Sequence, residues 1–310
     1  MSEQEEHGET VDGLKVMLRQ EEHLYSCPDY FAPDYCTRNT RAKQSTATPL
    51  HVVDDECAKL VADLSFADPA KTQKEISSPN DVRSRVEQTK SPESVVALPK
   101  VTTDSLVISN WRLQMCNWAY TVVDTFGFSR TAVALAFDLL DRYLAKECLT
   151  EITITRQDFQ LLAMTALYLA VKLHESGDKL CLVTLIDMSR GYFSLRDFED
   201  AELDILESLE WRVSPPTANC FLVELWKLHP NDAADKWISR SHDLLELSVS
   251  DAYFVPHKAS QLALAAMLVT GKKYRVPQEK MDQFCDTIKD IVDENEDNFK
   301  DIYYEHLLDQ

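Results

Sequence analysis

The nearest approach to a catalytic pattern in this 310-residue chain is the dipeptide His174-Glu175. It opens an H-E-x-x-H sequence, in which two histidines one helical turn apart hold zinc and the glutamate acts as general base. The second histidine is missing, because position 178 is Asp. No G-x-x-x-x-G-K phosphate loop, G-x-G-x-x-G dinucleotide turn or G-x-S-x-G nucleophile elbow occurs. The eight histidines show no ligand spacing, and the eight cysteines (27, 36, 57, 116, 148, 181, 220, 285) form no C-x-x-C pair. Carboxylates are abundant, but with 52 acidic against 32 basic side chains and a net charge of −20 they read as solvated faces. No catalytic residue, metal or cofactor is therefore expected. The charges that need explaining are those among apolar residues: Arg112, Asp141 and Lys172.

The elements that must position them are helices. Residues 157–175 (QDFQLLAMTALYLAVKLHE) lack Gly and Pro, and from 161 to 171 carry Thr165 as their one small polar residue. A helix apolar nearly all round must be buried on every side, and this apolar run is too short to cross a membrane. It reads as the hub of an all-α domain. Thr155 can cap it, with Asp158 near its positive end and Lys172 near its negative end. Before it, a helix from about 105 to 126 carries the stripe Trp111, Met115, Trp118, Val122 beside a second stripe whose only charge is Arg112. Gly127 suits its end. Ser129 can cap the next helix, whose inner face is Val133, Phe137, Leu140 and Leu144, bordered by Asp141. A short helix over 182–188, closed by Gly191, and another from 195 to 210 capped by Ser194 complete the unit. Two opposite charges on inward stripes of consecutive helices must pair if buried, so Arg112 and Asp141 are expected to form an ion pair.

After the break WRVSPPT at 211–217 the pattern echoes. QLLAMTALYLAVK (160–172) aligns without gaps on SQLALAAMLVTGK (260–272), each preceded by an amphipathic helix, the second over about 236–249. A duplicated five-helix unit is the economical reading. The last 26 residues carry nine acids and two lysines, which suggests a solvated acidic helix pair. Residues 1–100 hold most of the prolines and few sustained apolar stripes, so they read as a mostly disordered regulatory region, with a short helix conceivable over 52–64. Thr48, Ser78 and Ser91 each precede a proline and are candidate phosphorylation sites for a proline-directed kinase. The resulting division is 1–100, 101–214 and 215–310. Neither a nucleic-acid backbone nor an anionic membrane suits so acidic a chain. The polar N-terminus and unpaired cysteines, some inside helical patterns as Cys116 and Cys220 are, point to a reducing intracellular compartment.

Four fragments together are specific. They are W-R-x-x-M-x-x-W at 111–118, L-L-D-R-Y-L at 139–144, L-x-x-x-x-L-Y-L-A-V-K-L-x-E at 162–175 and, at the junction, L-E-W-R-V-S-P-P-T-A-N-C-F-L at 209–222. The chain resembles the cyclins that activate cyclin-dependent kinases, whose cyclin box has M-R-x-x-L-x-x-W, L-D-R-[FY]-L, A-x-K-[FY]-E-E and P-T-x-x-x-F. The match covers about 105–222, and the C-terminal echo fits that family's second cyclin fold. The junction is closer to algal or stramenopile (diatom-like) members than to animal mitotic ones.

The resemblance implies two tandem five-helix cyclin folds, no enzymatic activity of the chain's own, a cyclin-dependent protein kinase as partner, and residence in nucleus and cytoplasm. It implies that Arg112 and Asp141 are the structural pair linking the first two helices. It also implies that Lys172, Leu173, Glu202, Trp211 and Val213 line the groove for the kinase's mobile C-helix; by residue type alone Lys172 is an ordinary helix-end lysine. The patch that receives short substrate docking peptides would comprise Trp111, Met115, Trp118, Phe159 and Gln160, with Gln114 replacing an apolar residue. The region 1–100 has no L-x-C-x-E motif of animal D-type members and no R-x-x-L destruction box of mitotic ones. The rival readings are a transcription-related cyclin-fold protein, which would want a basic face, and a plain helical scaffold with no kinase preference.

Overall fold

The computed structural model describes residues 3–31, 105–147, 154–175, 180–229 and 235–289. Within them the chain forms ten α-helices and no strand. They are α1 (Glu3–Leu24), α2 (Ser105–Phe126), α3 (Thr131–Glu147), α4 (Arg156–His174), α5 (Leu182–Met188), α6 (Leu195–Ser208), α7 (Ala218–Lys227), α8 (Asp235–Ser250), α9 (Ala259–Lys273) and α10 (Gln278–Lys289). A 3₁₀ turn, Ala252–Phe254, lies between α8 and α9.

Local chemistry sets the helix ends where the sequence places them. Thr155 accepts from the Asp158 backbone N–H at 3.2 Å, while the Asp158 carboxylate accepts from the Thr155 N–H at 3.0 Å. Ser194 and Asp197 make the same reciprocal box at α6. Each satisfies amides that would otherwise be orphaned in the first turn, and each puts a carboxylate at the positive helix end. Ser129 Oγ accepts from the Thr131 N–H at the start of α3. Gly127 and Gly191 take φ of 70° and 71°, the left-handed conformation that ends a helix.

Helix α4 is the hub. Ten of its residues, including Phe159, Leu162, Met164, Leu167 and Val171, are buried, and α2, α3 and α6 pack around it. The first core lies between these helices; a satellite cluster of Met164, Leu185, Phe193 and Phe198 closes one side. In the second half α9 has the corresponding place between α7 and α8, with Ala263, Ala266 and Met267 as buried as Ala163, Ala166 and Leu167. One approach is tight: a Cβ on Gly271 would lie 2.8 Å from Met281 Sδ and 3.0 Å from the Trp237 ring. Trp237 Nε1–H donates to the Met267 carbonyl at 2.8 Å, fixing that contact. The fifth helix of the second unit and the acidic pair expected at the C-terminus fall largely on residues 290–310, outside the described residues, as does the short helix considered over 52–64.

The N-terminal region departs from expectation at its start. Residues 3–24 form a full helix whose Leu14 is buried in the second core, with Val11, Met17 and Leu18 packed beside it. Glu21, also buried, accepts from Ser260 N–H at 2.9 Å and from Ser260 Oγ, so it caps α9 from another helix. Residues 25–31 then run over the first unit as a strap. Tyr25 receives the Arg142 guanidinium over its ring at 5.1 Å, and Tyr30 donates to Asp141 Oδ1 at 2.8 Å.

Asp141 is the meeting point. Arg112 Nε and Nη2 donate to its two oxygens at 2.9 and 2.8 Å, with 3% and 5% of the two residues exposed. Arg112 Nη1 donates to the Val249 carbonyl at 2.5 Å, and its guanidinium lies 5.0 Å from the Phe137 ring centroid. The expected pair is therefore present, and it also reaches the strap and the last turn of α8. Tyr120 donating to the Glu246 carbonyl at 3.1 Å and Arg130 pairing with Glu246 at 2.8 Å extend the same junction. Of the two cysteines expected inside helices, Cys116 is core, whereas Cys220 is exposed on α7.

Arg112→Ala strands a buried carboxylate and should cost about 3–5 kcal/mol. At roughly 2–4 °C per kcal/mol for a unit of this size the melting temperature should fall by about 6–20 °C. A loss of only a degree or two would mean that Arg112 is solvated. A second expectation concerns His229, buried against Trp226, Trp237 and Phe284 with Nε2 unpartnered. Burial, then the Lys280 charge, lowers its pKa to about 4. A depressed histidine contributes stability that is whole above the unfolded pKa near 6.5 and is lost as pH falls toward 4. Thermal melts across that window should decline less steeply for His229→Phe than for the parent; parallel declines would show that His229 does not titrate against folding.

Candidate functional site

The site is built on the exposed last turn of α4 and the outer face of α6. Helix α4 is buried until its last turn, where Lys172, Leu173 and His174 emerge. Helix α6 buries Phe198, Ala201 and Ile205 at helical spacing, which turns Glu202 toward the end of α4. Lys172 Nζ donates to Glu202 Oε1 at 2.9 Å and lies 5.4 Å from the Tyr168 ring centroid. The Lys172 side chain is 55% exposed and that of Glu202 16%. The bond to Glu202 is the main reason the Lys172 pKa is raised, so the ammonium stays charged at neutral pH. In water such a pair is worth about 0–1 kcal/mol, so it is not what holds the fold together. It is a dipolar feature at a helix junction, available to polar groups of a partner.

The same two elements also expose apolar side chains. Leu173 is exposed on α4, and Leu203, beside Glu202, is exposed on α6. Trp211, just past α6, is 65% exposed. Its backbone explains how. Glu210 and Trp211 take φ of 53° and 60°, two consecutive non-glycine residues in the left-handed region. Such conformations cost about 1–3 kcal/mol each and persist only where surrounding structure enforces them. Here Trp211 N–H reaches back to the Leu206 carbonyl at 2.8 Å. Two basic side chains of α3 grip the rest of this end: Arg142 Nη1 and Nη2 donate to the Arg212 carbonyl at 3.0 Å, and Lys146 donates to the Ser208 carbonyl. Carbonyls left open at a helix C-terminus are thus filled from the neighbouring helix, and the turn is set to present an indole to solvent. Val213 follows, half-buried against the first core.

The sequence-expected groove residues therefore divide. Lys172 and Glu202 are brought into direct contact; Leu173 and Trp211 are exposed; Val213 is anchored in the core. Leu203 was not anticipated, although a signal existed: it lies off the Phe198–Ala201–Ile205 stripe, an apolar residue on an otherwise polar face.

The patch on α2 and α4 is more enclosed. Trp111, Met115 and Trp118 are half-buried and pack on the cores, with the Trp111 ring 6.0 Å from that of Phe159. Phe159 is fully buried and offers no surface, while Gln160 is half-buried. Arg156 Nη2 donates to Gln114 Oε1 at 3.3 Å across the two helices. The candidate phosphorylation sites Thr48, Ser78 and Ser91 lie outside the described residues. Among the described residues no group of His, Cys, Asp and Glu could hold a metal ion, and no helix is long and apolar enough to cross a membrane.

Comparison with known proteins agrees with this architecture. Residues 83–214 match the family described as "Cyclin, N-terminal domain" and residues 216–308 match "Cyclin, C-terminal domain". The chain is 30% identical over 173 residues to Cyclin-D4-2 of Oryza sativa subsp. japonica, covering 54% of this chain and 44% of that protein. It is 26% identical over 194 residues to Cyclin-O of Homo sapiens, covering 59% of this chain and 51% of that one. It is 24% identical to the G1/S-specific cyclin CCN1 of Candida albicans, covering 55% of this chain and 26% of that one. The chain thus spans about half or less of the length of these relatives. Among solved structures, a viral cyclin from herpesvirus saimiri shares the fold with a TM-score of 0.51 at 16% identity, covering 63% of this chain and 81% of that one. With two consecutive domain matches that take in most of its length, a wholly helical described structure and a cyclin as structural neighbour, the chain belongs to the cyclin family.

Proposed function

We propose that this cyclin is a non-catalytic regulatory subunit that binds and activates a cyclin-dependent protein kinase in cell-cycle control, acting in nucleus and cytoplasm. The observation that carries the reading is the Lys172–Glu202 pair, with Leu173 and Leu203 exposed next to its two members in sequence and Trp211 exposed just past α6. A docking surface of that kind joins a few oriented polar groups to apolar anchors, and an exposed indole is a favoured anchor. The mechanism is a population shift. A rigid surface that fits the kinase only with its mobile C-helix swung inward favours the active arrangement by the difference in affinity between the two states. Lys172 and Glu202 would bond backbone and side-chain polar groups of that helix, while Leu173, Trp211 and Val213 exclude water. The half-buried Trp111–Met115–Trp118 face, with Gln160, would take substrate docking peptides, and Thr48, Ser78 and Ser91 would be modified by proline-directed kinases. The nucleic-acid alternative is disfavoured by the net charge of −20.

Purified protein should show no phosphotransfer alone and should raise the activity of a cyclin-dependent kinase from its own cell. Failure to co-purify with or bind any such kinase would leave the scaffold reading ahead. Lys172→Ala with Glu202→Ala should leave the far-UV circular dichroism unchanged. Charged hydrogen bonds contribute about 1.5–3 kcal/mol each, so kinase affinity should fall by about a hundred-fold to ten-thousand-fold. Unchanged affinity in the folded double variant would move the interface elsewhere. Trp211→Ala should weaken binding with little loss of stability, because most of that side chain is already in solvent; a large drop in melting temperature would instead give Trp211 a role in the core.

A further inference from the structure

Between the strap, helices α2 and α3, and the connection from α8 to α9 lies a cavity of about 270 Å³. It holds roughly nine waters' worth of liquid volume, and it is remote in the fold's logic from the Lys172–Glu202 surface, sharing no residue with it. Its walls are mostly apolar, with Phe137, Leu245, Phe254 and Leu262 among them, and Tyr25 and Cys27 of the strap complete the lining. The titratable groups that face it come from every element around it. Glu21 is bound to Ser260, and Asp141 is saturated by Arg112 and Tyr30. Lys258 stands near Glu21 and lowers its pKa against the larger effect of burial, which raises it. Two of the groups with unused hydrogen-bonding capacity are titratable. Asp138 accepts from Arg142 Nε through Oδ2 at 2.7 Å, and its Oδ1 takes no hydrogen bond among the described residues. His257 Nδ1 is buried with no partner. Burial lifts the Asp138 carboxyl to about 6, against the pull of Arg142, and burial keeps the His257 ring neutral by lowering its pKa.

An open carboxylate oxygen in a mostly apolar lining points to the class of ligand. An anion beside Asp138 would be repelled by it, since the nearby Arg112 and Arg142 cations are already engaged by carboxylates, and a plain hydrocarbon would leave the Asp138 oxygen unpaired. A cation on a compact apolar body satisfies both surfaces. We propose that this cavity is a binding site for a compact apolar amine, its ammonium donating to Asp138 and its hydrocarbon body packed among Phe137, Leu245, Phe254 and Leu262. Bound there, it touches the strap, the first cyclin fold and the second together, so its occupancy stabilises the junction. The inference does not depend on the kinase reading.

The test uses the full chain titrated with benzylamine, and with benzyl alcohol and toluene as uncharged bodies of like shape, read by melting temperature and by saturation-transfer NMR. Benzylamine should bind saturably, with a Kd on the order of 0.1–1 mM as befits so small a ligand, and at least about tenfold more tightly than either uncharged probe. Asp138→Asn, in which the amide oxygen can still accept from Arg142, should abolish that preference while leaving the uncharged probes' weak binding intact. Leu262→Trp should fill the chamber and remove binding of all three. Equal binding of amine and alcohol, benzylamine binding that survives both substitutions, or no saturable benzylamine binding by the folded parent protein would each overturn the proposal.

Discussion

A single carboxylate, Asp141, receives three hydrogen bonds from two elements other than its own, and the arrangement of the described residues depends on it. Arg112 of α2 grips both oxygens, Tyr30 of the strap adds a third bond, and the same guanidinium reaches on to the Val249 carbonyl at the end of α8. Each of these groups is costly to bury alone and tolerable only in company. Burial by itself would lower the Arg112 pKa, yet the nearness of Asp141 carries it above its ordinary value, so the guanidinium remains charged. The pair therefore acts as a registration device. The two cyclin folds and the N-terminal strap each have cores or anchors of their own, but the ion pair is satisfied only when all of them are in place.

The Lys172–Glu202 surface inherits its rigidity from that arrangement. Helix α3 carries Asp141 toward the junction and, one and five residues on, Arg142 and Lys146 toward the end of α6. One helix thus locks the junction with one side chain and sets the Trp211 turn with the next. Helix α4, packed against α3, brings Lys172 to Glu202. An exposed ion pair worth little by itself is held in one place by the packed helices beneath it.

Much of this was legible in the sequence because it is local. Capping boxes at Thr155–Asp158 and Ser194–Asp197 mark helix starts within a span of four residues, and the apolar run of α4 declares burial without knowledge of its neighbours. Arg112 and Asp141 stood out because each is a charge on or beside an inward stripe. What was not legible is partner choice over long separations. Glu21 finds Ser260, and Tyr30 finds Asp141, across 239 and 111 residues. Helix α1 was hidden because its apolar stripe is narrow, holds Gly8 and Gly13, and belongs to a region whose average composition is polar. The two prolines after Trp211 announced a break, but not the pair of left-handed residues before them, which exists because α3 supplies cations to the open carbonyls. Cys220 shows that a place in a helix does not by itself decide burial.

The claim at the centre is that one buried ion pair couples the two folds and the strap. Hydrogen exchange read by mass spectrometry on Asp141→Asn tests it most directly, since the substitution keeps the shape and removes the charge. Loss of even 1.4 kcal/mol of coupling speeds exchange by opening about tenfold. The account predicts such acceleration in three places at once: the α2–α3 contact, residues 25–31, and the last turn of α8 over residues 247–250. Acceleration confined to α2 and α3, with the strap and α8 protected as before, would contradict it.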